Sequence, residues 1–151
     1  MNAKQRELIE MIEDLMTFLS RDRLTVAEII EKIGSEERDP GIPMPIELCP
    51  ASSVLESADL ARCPKSGQPY VLTINPVPEA RPTVSELGQV LGAWESPLAR
   101  REAPPSVIFQ QAAVINRDWK VVVIVRIEDG KEDHAASRAV SIAFRRDGDA
   151  E

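Results

Sequence analysis

Trp119-Lys-Val-Val-Val-Ile-Val-Arg-Ile-Glu128 is the stretch whose reading decides the fold class of this 151-residue chain. It is rich in β-branched side chains and holds neither glycine nor proline, which reads as a strand. Strand alternation puts Trp119, Val121, Val123, Val125 and Ile127 on one face and Val122 and Ile124 on the other. A strand that is apolar on both faces belongs in the middle of a sheet.

Its sequence neighbours supply the flanks. Val107 to Ile115 and Arg138 to Arg146 are further β-branched runs, set off by Asn116-Arg117-Asp118 and by an Asp129-Gly130 turn with a polar loop. Residues 106–151 therefore read as a three-stranded antiparallel meander. In its last strand, alternation expects Val140, Ile142 and Phe144 on one face and Ala139, Ser141 and Ala143 on the other. That second, small-residue face continues Val122 and Ile124 and must be shielded from water. The candidates for the cover are the first helix and a second copy of the chain, so Val122, Ile124, Ala139, Ser141 and Ala143 form a candidate interface.

Upstream, the pattern changes twice. All twelve prolines lie between Pro40 and Pro105, which divides a single domain, 1–151, into a helical part (1–39), a proline-rich mixed part (40–105) and the meander (106–151). Residues 4–19 carry Leu8, Ile12, Leu15 and Leu19 at helical steps, widened by Ile9 and Met16. Thr25-Val-Ala-Glu28 is a capping box that opens a second helix, and Gly34 is expected to end it in a left-handed turn. Thr83-Val-Ser-Glu86 opens a third, closed near Gly92, with Gly88 inside it where a close packing contact is expected. Ser53-Val-Leu-Glu56 has the same grammar and predicts a fourth, short helix reaching about Ala61. Tyr70 to Ile74 reads as a strand ended by Asn75-Pro76.

The segments 24–34 and 82–92 look like copies, each followed by a short apolar run, Ile46 to Leu48 or Val107 to Phe109. This would make an αββ pseudo-duplication; convergence on a good helix cap is the other explanation. The architecture expected is two-layer α+β: an antiparallel sheet of four or five strands packed with three or four helices.

Composition narrows the function classes. The formal charge of −7 opposes the basic footprint that a phosphate backbone requires, so no nucleic-acid partner is expected. The longest purely aliphatic run, Val121 to Val125, is far short of a bilayer span, and the charged start from Lys4 to Asp14 lacks the apolar core of a secretory signal. No membrane association and a cytoplasmic location are the expectations. Cys49 and Cys63 read as free thiols.

Motifs that carry chemistry are sparse. His134 is the only histidine; with Glu132 and Asp133 it lies in a polar loop that reads as solvated. Cys49, Cys63 and His134 give only three dispersed ligands where zinc needs four. Cys63-Pro-Lys65 lacks the base that a catalytic thiolate requires. Neither G-x-G-x-x-G nor G-x-x-x-x-G-K-[ST] occurs. Thr25 to Gly34 resembles half of a helix-turn-helix, without a basic second helix. Arg100-Arg101 and Arg145-Arg146 read as strand-edge charges.

The reading that follows is a non-enzymatic protein-binding module without cofactor: an adaptor, an immunity-type inhibitor or a secretion-chaperone-like protein, self-associating as a homodimer. The alternative is a small-ligand or anion-binding domain whose pocket lies between sheet and proline-rich segment, lined by Tyr70, Trp94 and Trp119.

Overall fold

A computed structural model describes residues 1–21, 24–36, 46–62, 69–96, 105–114, 119–128 and 134–148. The first helix, α1 (Ala3–Leu19), forms where the 3.6-residue stripe predicts it, and Leu8, Ile12, Leu15 and Leu19 are all buried. A capping box the periodicity did not reveal starts it: the Asn2 side chain accepts the Gln5 amide at 2.8 Å, and Gln5 accepts the Asn2 amide at 2.9 Å. Helices α2 (Val26–Ile33) and α3 (Val84–Leu91) begin at their threonines. At α3 the box is complete. At α2 the Glu28 carboxylate accepts from the Thr25 hydroxyl at 3.1 Å.

Among the described residues seven strands make one sheet, antiparallel throughout, in the order β1-β2-β3-β4-β7-β6-β5. They are β1 (Gly34–Glu36), β2 (Ile46–Pro50), β3 (Leu55–Arg62), β4 (Pro69–Pro76), β5 (Ser106–Val114), β6 (Trp119–Ile127) and β7 (Ala139–Gly148). The C-terminal meander is present with β6 between β5 and β7, as alternation predicts. The class is α+β, but the sheet exceeds the four or five strands expected.

One reason for the larger sheet is the segment after Ser53. Where the capping grammar predicts a helix, residues Leu55–Arg62 form β3. Ala58 and Leu60 point into the core with Ile74 and Leu72 as ladder partners, and Leu48 lies opposite Ala58 on the other side. Pairing on both edges outweighs one local cap, because a cap contributes about 1 kcal/mol and a buried strand gains hydrogen bonds and packing along its length.

Gly34 also differs from expectation. Its φ of 164° is extended rather than left-handed. Glycine is needed for another reason: a Cβ there would lie 1.9 Å from the Cys49 carbonyl oxygen, so β1 could not approach β2. Gly88 meets its expectation in kind. A Cβ on it would stand 2.8 Å from the Trp94 ring, which packs directly on α3.

The two helix-then-strand units are longer than αββ. Helix α2 leads to edge strand β1 and then inward through β2 and β3; α3 leads to the opposite edge, β5, and inward through β6 and β7. Strand β4 lies between these two runs. The three described α-helices contribute to a single core on one side of the sheet, where Phe109, Phe144, Leu60, Leu72, Ile74 and Ile142 are fully buried beneath them.

Candidate functional site: the helix-free face of the sheet

Strand parity assigns every second residue to the face opposite the helices. Val122 and Ile124 occupy it on β6; neither belongs to the helix-side core, although Val122 is only 1% exposed. On β7 the parity changes partway. Register runs Val125↔Ile142 and Arg126↔Ser141, then shifts so that Ile127 opposes Ala139. The extra residue, Val140, is a bulge. Ala139 is thereby turned into the helix-side core at 0% exposure, which corrects its expected place on the small-residue face. Ser141 and Ala143 remain on that face, half-buried.

Register also orders the face into rows. One row crosses six strands: Ile108, Ile124, Ala143, Thr73, Asp59 and Glu47, from β5 to β2. It is apolar over β5, β6 and β7 and acidic over β3 and β2. On the same face of β6 the apolar pair Val122 and Ile124 is bracketed by Lys120 at one end and Arg126 at the other. This face is therefore split by charge, with lysine and arginine around an apolar centre on one half and carboxylates on the other. Glu47 lies directly across the ladder from Asp59. Partial burial of Asp59, and then the Glu47 charge opposite it, push its carboxyl above the ordinary value.

The remaining sequence candidates are dispersed. Trp94 is half-buried beside β5, with its ring centroid 6.2 Å from that of Phe109. Tyr70 and Trp119 contribute their backbones to β4 and β6; their side chains lie outside the described residues. Glu95 pairs with Ile108 on the outer edge of β5, so the Trp94 segment lies four strand positions from Tyr70, about 19 Å at the usual spacing. These three aromatic positions are not gathered at one place.

His134 stands in a 3-10 turn, its Nδ1 2.9 Å from the Ser96 hydroxyl. Glu132, Asp133 and Cys63 lie outside the described residues, as do Lys65, Arg100 and Arg101. Cys49 is free and exposed on β2. Among the described residues, no group of three or more His, Cys, Asp or Glu side chains could hold a metal ion. No described helix is long and apolar enough to cross a membrane. The Arg145-Arg146 pair is divided between faces: Arg145 opposes Val122, and buried Arg146 donates Nη2 to the Arg21 carbonyl at 2.8 Å.

Sequence reasoning missed the Glu47–Asp59 opposition because the two are twelve residues apart with no local pattern joining them. Only the β2–β3 register makes them neighbours. No family model, no curated protein and no solved structure matches this chain.

Proposed function

We propose that this chain is a non-enzymatic protein-binding module that works as a homodimer, joined through the helix-free face of its sheet. The observation that carries the reading is the charge-split row running from Ile108 and Ile124 to Asp59 and Glu47. An antiparallel sheet exposes one face to water readily when that face is polar; here the central strand presents half-buried Ile124 beside Val122, which is already covered.

Charge selects the geometry of the pair. A two-fold axis parallel to the strands, lying between two stacked sheets, sets the β5–β6 half of one copy over the β2–β3 half of the other. The row of one copy then lies over the same row of the other in reverse, so that the half carrying Arg126 and Lys120 covers the half carrying Asp59 and Glu47, with Ala143 and Thr73 at the centre. An axis across the strands would stack like on like. The first arrangement also keeps strand directions aligned, the common mode of sheet packing.

Light scattering over a concentration series tests the reading. The wild-type chain is expected at dimer mass at about 100 µM, since a functional interface of standard size holds at micromolar levels. Ile124→Lys is expected to be monomeric with an unchanged circular dichroism spectrum. A wild-type chain that stays monomeric, or an Ile124→Lys dimer, overturns the proposal.

A further inference from the structure

A second surface lies on the other side of the molecule, where α1 and α2 diverge over the turn between β2 and β3. The groove there has a volume of about 380 Å³. Its floor is apolar: Leu15, Ile33 and Leu55 are buried, and Met11 is partly covered. The floor is built into the fold, because the Ala51 amide donates to the Ile33 carbonyl at 2.9 Å and ties the turn to the end of α2.

Its rim has one sign. Glu7, Glu10 and Asp14 line the α1 wall at steps of three and four, exposed and in file along the helix over about 10 Å. Among the described residues the single cation in the lining, Lys32, is already engaged: its ammonium is 2.5 Å from the Asp14 carboxylate and 5.5 Å from the centre of the Phe18 ring. Glu7 and Glu10 form no ion pair among the described residues, so they set the net charge of the groove.

We propose that this groove is a docking site for a basic amphipathic helix of a partner protein. One apolar side chain of that helix would fill the space over Met11 and Leu55, and lysines or arginines at that level and one turn toward the start of α1 would meet Glu10 and Glu7. The spacing of the carboxylates is helical, so a helix laid alongside α1 matches it with its own three-and-four steps. A second copy of this chain is the poorer occupant, since a two-fold contact here sets the same acidic file against itself. The proposal is independent of the sheet face, with which the groove shares no residue.

The probe is a fluorescein-labelled helical peptide of leucine and lysine, about 14 residues or four turns long, with the leucines on one stripe. It is titrated with the full chain by fluorescence anisotropy at about 0.15 M salt, where unspecific attraction over long distances is screened. Saturable binding is expected, and the Glu7→Lys/Glu10→Lys double variant is expected to weaken it at least about tenfold. The Glu31→Lys/Glu79→Lys variant makes the same change in net charge outside the groove and is expected to move it by no more than about twofold. All four positions are exposed, so both variants retain the core. Met11→Glu is expected to abolish binding without changing oligomeric mass. Absent or unsaturable binding overturns the proposal, as does equal weakening by the two double variants. A change of oligomeric mass in the Glu7→Lys/Glu10→Lys variant would make a second copy the occupant and overturn it too. Ile124→Lys is expected to bind the peptide as the wild type does, which separates this result from that of the sheet face.

Discussion

The two faces of the sheet are made from the same strands, yet they solve different problems. On the helix side, Val121, Val123, Val125, Ile142 and Phe144 are covered by α1, α2 and α3 and reach 0–1% exposure. On the other side the same strands carry buried Val122 together with Ile124, Ser141 and Ala143, all three half-buried, and the row through Ile124 ends in Asp59 and Glu47. Burial is nearly complete on one face; on the other only the middle of β6, at Val122, is fully covered, and the proposed recognition chemistry surrounds it. A face given over to stability has no use for Glu47 opposite Asp59, because like charges directly across a ladder are destabilising.

Truncating one residue on each face separates their roles with the largest effect. Phe144→Ala, on the helix side, is expected to lose about 3–5 kcal/mol in urea unfolding, since a fully buried ring leaves a cavity. Ile124→Ala, one ladder position away, is expected to lose about 1 kcal/mol, as for a half-exposed strand site. Equal losses would show that the second face is a structural core.

Gly34→Ala tests the edge where the sheet begins. With a Cβ 1.9 Å from a backbone oxygen, either β1 separates from β2 or the strands shift. A loss of about 1–3 kcal/mol is expected, the range for forced overpacking, with amide exchange rising in β1 and β2 and unchanged in β5 to β7.

The smallest effect sharpens the contrast most. The raised Asp59 carboxyl binds its proton more tightly in the folded chain, so stability falls as pH rises from the ordinary carboxylate value through the raised one. Asp59→Asn removes that penalty. At neutral pH and at dilutions where single subunits prevail, it is expected to be more stable than wild type by about 0.2–1 kcal/mol, a range suited to a solvent-screened pair. The gain should vanish below about pH 4, where the wild-type carboxyl is protonated in both states. The same substitution is expected to weaken the dimer, because it deletes an anion from the acidic half. A gain in stability with no loss of association would break the link between charge and recognition.

Much of this could be read without coordinates. The α1 stripe from Leu8 to Leu19, the threonine caps at Thr25 and Thr83 and the meander around Val121 to Val125 all have periods of two to four residues. Such repeats specify a local conformation wherever the rest of the chain lies. The candidate interface was legible in part, since Val122 and Ile124 follow from parity alone within one strand.

The remaining neighbours depend on pairing between distant segments. The Ser53 box was overruled by β2 and β4, which give Leu55–Arg62 two strand neighbours. Ala139 changed face through a bulge at Val140, and one inserted residue inverts parity from there on. Asp59 met Glu47, and Met11 met Leu55 across a groove, through registers and helix positions with no trace in local spacing. Local patterns set which conformation a segment prefers; hydrogen-bond register and packing set which side chains become neighbours, and this chain's two proposed surfaces consist of such neighbours.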